Sequence, residues 1–251
     1  MNKPIGKEGS QLKSILFDVR RAVVNRWFWI AVIGTIMSLW LSIGAETYSL
    51  RDMQISGCLP DWISMMQKAL HNEFGGFTMP VLSALPFAAA ALLEIRSGAA
   101  RNFVFRTSRL NYICGKVVGC LFSGIMLQLF SIGFLYFFFN MVSITMFGTN
   151  IQLCSMHQVG SSTLSHALSG GVWACLGSCV ALLTDTSSAA YIGPLCICYA
   201  LTMISSRFFP NVKMLNPLWW LHEVNSGLII ALTLAILMNV ILIRKELQKY
   251  A

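Results

Sequence analysis

The chain has 251 residues, of which 56% are hydrophobic and only 11% charged, with a mean hydropathy of +0.66 and a formal net charge of +8. A soluble domain carries about a quarter charged residues, so this deficit excludes an ordinary cytosolic globule and a disordered chain. The 18 basic residues do not form one face but cluster at the ends of long uncharged stretches, which argues against a nucleic-acid partner and for orientation in a lipid bilayer.

In chain order, residues 11–27 read as an amphipathic interfacial helix. Leu12, Ile15, Leu16, Val19 and Val23 recur at helical spacing, while Lys13, Asp18, Arg20 and Arg21 fall largely off that stripe. Trp27 and Trp29 mark the boundary where the first span begins. Six apolar runs follow, at 28–45, 74–93, 117–142, 164–184, 188–206 and 226–243, none containing Asp, Glu, Lys or Arg. Each meets the ~20 residues that a helix needs to cross ~30 Å of hydrocarbon. Helix is the forced choice, because unpaired backbone groups in lipid cost several kcal/mol each and barrel-type alternation is lacking. The stretch before the first run is too polar for a signal peptide, so no cleavage is expected.

Lys and Arg place the ends. Lys3, Lys7, Lys13, Arg20, Arg21 and Arg26 precede the first run; Arg96, Arg101, Arg106, Arg109 and Lys116 lie between the second and third; Arg244, Lys245 and Lys249 close the chain. Only Arg51, Lys68, Arg207 and Lys213 fall on the other side. The asymmetry puts both termini in the cytoplasm of a multi-pass plasma-membrane protein, and an even number of spans agrees with it. The chain therefore reads as a single all-α transmembrane domain over residues 1–251, with six transmembrane helices.

The connecting segments carry less. Arg207 to Asn225 holds Pro210, Pro217 and Trp219-Trp220, which favour broken helical pieces at the interface. Asp185-Thr186-Ser187 form a very short turn whose side chains suit helix capping. Cys58 and Cys154 fall on the same outer side and suit either a disulfide or two free thiols; Cys196 and Cys198 point to different sides of a helix and make no metal pair. Gly115-x3-Gly119 is a small-x3-small packing face, within the subunit or across a dimer. Gly170 and Gly171 allow close helix approach. His71-x-Glu73 and His222-Glu223 read as surface or interfacial pairs.

The segment from Glu94 to Lys116 is longer than a reversal of direction needs. Arg96, Arg101, Arg106 and Arg109 recur with Phe103 and Phe105 between them, which suits a short protruding helix, basic on one side and aromatic on another, that docks into a soluble partner. The alternative is plain anchoring by positive-inside bias. The string Glu94-x3-Gly98-x2-Arg101, then Arg106-Thr107-Ser108-Arg109-x2-Tyr112-x2-Gly115-Lys116, resembles the first cytoplasmic loop of type-2 ABC exporter permeases. The layout around it is similar too: an interfacial helix, six spans, a near-absent loop between spans four and five, and broken outer helices before span six.

The resemblance implies that this loop is a coupling helix seated on an ATP-binding subunit. Glu94, Gly98, Arg101, Arg106 and Tyr112 would belong to it, with Arg96 and Arg109 as its basic flanks. It further implies ABC ATPase subunits as partners and a second permease subunit, identical or related, with ATP and Mg held on the ATPase and no cofactor on this chain. No G-x-x-x-x-G-K-[ST] occurs in the sequence, so the chain lacks a phosphate-cradling loop of that kind and reads as a transport subunit, not an enzyme. Other readings are an ion-coupled secondary transporter, disfavoured by the uncharged spans, an intramembrane protease, for which no opposed Ser and His or His-Glu-x-x-His is present, and a non-transporting immunity or structural membrane protein.

Overall fold

The computed structural model describes the backbone of residues 6–54, 62–147 and 156–249, and the side chains of 15–44, 66–141 and 160–249. Cys58 and Cys154, and with them the candidate disulfide, lie outside the described residues. Among the described residues ten α-helices run in chain order: α1 (Gly6–Val24), α2 (Arg26–Gln54), α3 (Trp62–Leu70), α4 (Glu73–Ala84), α5 (Ala90–Arg96), α6 (Ala99–Thr107), α7 (Arg109–Phe147), α8 (Met156–Thr184), α9 (Ala189–Phe208) and α10 (Ser226–Lys249). Two 3-10 turns, Lys213–Leu215 and Pro217–Leu221, separate α9 from α10.

Among the described residues five helices contain stretches long and apolar enough to cross a membrane: Arg26–Gly44, Arg109–Met141, Gly160–Thr184, Ala189–Phe208 and Ser226–Lys249. The central helix is α8, with 72% of its most apolar window buried against 22–50% for the others. It packs against α7, α10, α9 and α4. Two glycines let α7 and α8 approach at backbone distance: a Cβ on Gly124 would lie 2.3 Å from the Gly170 carbonyl oxygen. The outward faces of α2, α7 and α10 stay apolar, with Trp29, Ile33, Phe134, Phe137, Ile230 and Leu237 each at least half exposed. Such an outer surface suits a lipid solvent, and the fold is consistent with a multi-pass membrane protein.

The expected second span, 74–93, is not one helix. It breaks into α4 and α5 across residues 85–89. Pro86 has no N–H to continue the helical ladder. Ala88 N–H still reaches the Ala84 carbonyl (3.2 Å), but Ala90 N–H bonds the Phe87 carbonyl (3.0 Å) instead of that of Pro86. The Pro86 carbonyl instead accepts from Asn25 Nδ2 at 3.0 Å, from the kink between α1 and α2. Apolar composition carries no trace of that bond, which spans 61 positions of sequence.

The basic segment before the first apolar run also differs from its reading. The first helix is Gly6–Val24 rather than 11–27, and it packs on α7 through Asp18 and Ala22, both buried, while Leu16, Phe17 and Val24 are exposed. Of the expected apolar stripe, Ile15, Val19 and Val23 are half-buried, Val23 against the Phe28–Leu127 cluster, and Leu16 is exposed, while a carboxylate faces protein. Trp220 sits in the core, stacked on Trp173 with ring centroids 6.1 Å apart and donating Nε1–H to the Met214 carbonyl (2.7 Å). That packing replaces the interfacial role expected for the pair, of which only Trp219 is exposed.

Candidate functional site: a buried charge cluster under a protruding elbow

Asp18, Arg21, Glu94, Tyr112 and Lys116 converge at the end of the bundle that bears the basic residues. Lys116, on the first turns of α7, is 3% exposed. Its Nζ donates to Asp18 Oδ1 at 2.6 Å and to Glu94 Oε1 at 2.9 Å. The rings of Phe87, Tyr112 and Phe103 surround the ammonium at 5.3, 5.4 and 5.9 Å, within cation–π range. Arg21 Nη1 forms a short ion pair with the same Glu94 oxygen, and Tyr112 OH donates to Glu94 Oε2 at 3.1 Å.

The two carboxylates and two cations cancel formally. That balance is what allows them to be buried, since an unpaired charge in such a place would cost several kcal/mol. Burial pushes the Asp18 carboxyl above its ordinary range, against the pull of the Lys116 charge beside it. The local sequence makes room for the contact. A Cβ on Gly115 would lie 2.6 Å from Asp18 Oδ2, and one on Gly119 would lie 3.0 Å from the Phe87 ring and 3.5 Å from Asp18 Cβ. The Gly115-x3-Gly119 face thus receives α1 of the same chain.

From Glu94 the chain runs into the elbow. Helix α5 ends at Arg96, Ser97 N–H bonds back to the Leu93 carbonyl (3.0 Å), and Gly98 turns the chain with φ of +74°. No atom crowds a Cβ built at Gly98, so it is the backbone conformation and not space that calls for glycine. Of α6 only Ala100 is buried; Arg101 and Arg106 are exposed and Phe105 stands 87% exposed. The helix ends at Ser108, whose φ of +119° is unusual for a residue with a side chain. Its Oγ accepts from Asn111 N–H at 3.4 Å and so caps α7.

A groove of 660 Å³ opens along this elbow, lined by Arg96, Arg101, Arg109, Phe105 and, from α10, Leu247. Arg96 is also held from below, since its Nε donates to Asp185 Oδ1 at 3.1 Å in the α8–α9 turn. Asp185 therefore serves the elbow and not a helix start, and the N-cap residue of α9, Ser188, makes no side-chain cap bond.

Of the residues singled out in sequence, Glu94 and Tyr112 enter the buried cluster. Gly98 forms the bend, and Arg96, Arg101, Arg106 and Arg109 line or flank the exposed elbow. The partners that complete the arrangement are Asp18, Arg21, Lys116 and Asp185. The available signal for Asp18 was a carboxylate one helical turn before Arg21.

A second polar grouping sits at the opposite end. His71 and His222 stack with centroids 4.2 Å apart, Trp219 covers the other side of His222 at 4.9 Å, and Ser162 Oγ lies 3.4 Å from His71 Nε2. Burial holds both His71 and His222 below the usual histidine range; the His222 charge lowers His71 further, whereas Glu223 partly offsets the effect at His222. His166 is fully enclosed, with Nε2 2.9 Å from the Leu70 carbonyl. Among the described residues no group of three His, Cys, Asp or Glu is arranged to hold a metal ion. No protein-family model, curated protein or solved structure matches this chain.

Proposed function

We propose that the chain is the membrane permease subunit of an ATP-driven exporter of the type-2 ABC class. It works with separate ATPase subunits and with a second permease subunit, identical or related, and moves an amphiphilic cargo such as a peptide, a lipid or a drug-like molecule. In this reading the domain lies in the plasma membrane with six passes, α4 and α5 together making the second, and both termini are cytoplasmic.

One observation carries the proposal. The elbow α5–Gly98–α6 exposes Phe105, Arg101, Arg106 and a basic groove, while its root at Glu94 is bonded to α1 and α7. An element that protrudes to meet a partner and is tied at its base to separate helices is suited to pass a push into the bundle. Uncharged outward faces suit rigid-body movement of those helices in lipid.

The test is purification of the tagged chain from native membranes. The expected result is co-purification of a subunit bearing a G-x-x-x-x-G-K-[ST] loop, with ATP hydrolysis dependent on the chain. Charge reversal of Arg101 and Arg106 to Glu should dissociate that subunit while membrane insertion is kept. An ATPase complex indifferent to this double substitution would place the coupling element elsewhere.

The buried Asp18 and Glu94 favour a second reading, an ion-coupled transporter, because ionisable groups held away from water often serve as coupling sites. Transport that proceeds without any ATPase subunit and stops when the ion gradient is collapsed would select it.

A further inference from the structure

We propose that the cavity between the α1–α2 kink and the α4–α5 break binds a single anionic phospholipid of the bilayer. The cavity measures 430 Å³, within the range of small-ligand sites. One wall is Leu85, Pro86 and Phe87 from the break with Leu93 from α5; the other is Arg21, Asn25 and Trp27 from the kink. It exists because Pro86 interrupts the helix and Asn25 clamps the freed Pro86 carbonyl, which fixes the two walls against each other.

Its chemistry is divided as a phospholipid is divided. The lining contains no acidic residue. At the polar rim Arg21 is half exposed and gives Nη1 to Glu94. A guanidinium has five N–H donors, so others remain for a phosphate. Arg20 and Arg26, both exposed, flank the same kink and add positive charge, while the carboxylates nearest to it, Asp18 and Glu94, are buried and neutralised by Lys116 and Arg21. Trp27, half exposed, suits the headgroup depth. Leu93, 52% exposed, and Val24, 68% exposed, present the apolar surface along which an acyl chain lies. The favoured headgroup is therefore anionic rather than zwitterionic.

Arg21 joins this cavity to the buried cluster, so the lipid phosphate and Glu94 share one guanidinium. A bound anionic lipid thereby steadies Arg21 at the root of the elbow, whether or not the elbow meets an ATPase.

Native mass spectrometry of the full chain in detergent tests this, with phosphatidylglycerol and phosphatidylcholine offered in turn. One phosphatidylglycerol should be retained in preference to phosphatidylcholine. Arg21→Ala should weaken its retention about fivefold, the worth of one basic residue near an anionic surface. Leu93→Trp should abolish retention by filling the cavity without changing charge, and its exposed site keeps the fold intact, checked by thermal unfolding. Arg244→Ala, an exposed basic residue elsewhere, should leave retention unchanged. Equal retention of the two lipids, undiminished binding by Leu93→Trp, or an equal loss in Arg244→Ala would each overturn the proposal. None of these outcomes bears on ATPase association, so the two readings fail separately.

Discussion

Replacing Lys116 by Met tests the buried cluster most directly. Met keeps an unbranched apolar stem among Phe87, Phe103 and Tyr112, and its sulfur retains favourable contact with the rings, so the loss reports on charge. At an effective dielectric of about 20, each of the two contacts, at 2.6 and 2.9 Å, is worth about 6 kcal/mol of attraction before desolvation is subtracted. Most of that gain is offset when three charged groups leave water. What the substitution exposes is the other side of the ledger: Asp18 and Glu94 remain buried with only Arg21 to balance them. Removing one partner of a buried pair costs about 3–5 kcal/mol, whereas replacing all of its members by neutral groups is often close to neutral. Lys116→Met should therefore lower the unfolding midpoint of the purified chain by roughly 10 °C, and the triple variant Asp18→Asn, Glu94→Gln, Lys116→Met should recover most of it. Tryptophan fluorescence during thermal unfolding in detergent reads both. A single-variant loss under about 1 kcal/mol, the value of an exposed ion pair, or a triple variant as unstable as the single one, would refute the reasoning.

Two further outcomes follow from other parts of the fold. Gly124→Ala should destabilise by about 1–3 kcal/mol, because its Cβ would meet the Gly170 backbone on α8 and neither helix can yield locally. Gly133→Ala in the same helix α7, with open space around it, should be neutral or slightly stabilising, and the same unfolding assay compares them. At the opposite end, His71 and His222 both hold protons less readily when folded than in the unfolded chain. Stability from that contact is full above the ordinary histidine value of about 6.5 and is lost as pH falls below it. Two imidazolium rings 4.2 Å apart repel by about 4 kcal/mol at an effective dielectric of 20. Glu223, Ser162, His166 and, through Trp219, Lys213 complete the surroundings. Protection factors of residues 213–225 against hydrogen exchange, corrected for the intrinsic pH dependence, should fall on acidification and lose that fall in His222→Gln; equal protection on both sides of the histidine range would contradict it.

Five of the six apolar runs correspond to helices because hydropathy measures the property that decides them. A segment with no water to bond must satisfy its own backbone, and only a long helix does so. The run over 74–93 is the exception, since Pro86 interrupts its ladder and the freed carbonyl is taken by Asn25, a contact between distant positions that no window average registers. The same blindness applies to charge. Counting Lys and Arg sorts residues by membrane side and treats Lys116 as one more solvated marker, yet it is enclosed by carboxylates 98 and 22 positions away. Removing it from the count leaves the asymmetry intact, so nothing in the count warned of its role. Glu94, Gly98 and Tyr112 were legible through the spacing of a motif, which preserves local chemistry. Asp18 and Arg21 were not, because their significance arises only when α1 folds back onto Gly115 and Gly119.

The distribution of restraint along the elbow decides how force could travel through it. Helix α5 is fixed at its C-terminal end, through Glu94 to α1 and α7 and through Arg96 to the α8–α9 turn. Helix α6 buries only Ala100 and is flanked by two positive-φ residues, Gly98 and Ser108. A load applied to Phe105 or Arg106 thus meets a helix that rests on the core through Ala100, Phe103 and Val104 between two bends, and then one tied by ion pairs. It reaches the bundle through α5 and the start of α7, where Lys116 and Tyr112 share Glu94. With Glu94 replaced by Gln, α5 loses the charge that binds Arg21 and Lys116. The protruding helix would keep its surface, and α5 would lose its direct tie to α1, leaving Lys116 and Asp18 to join α7 to α1.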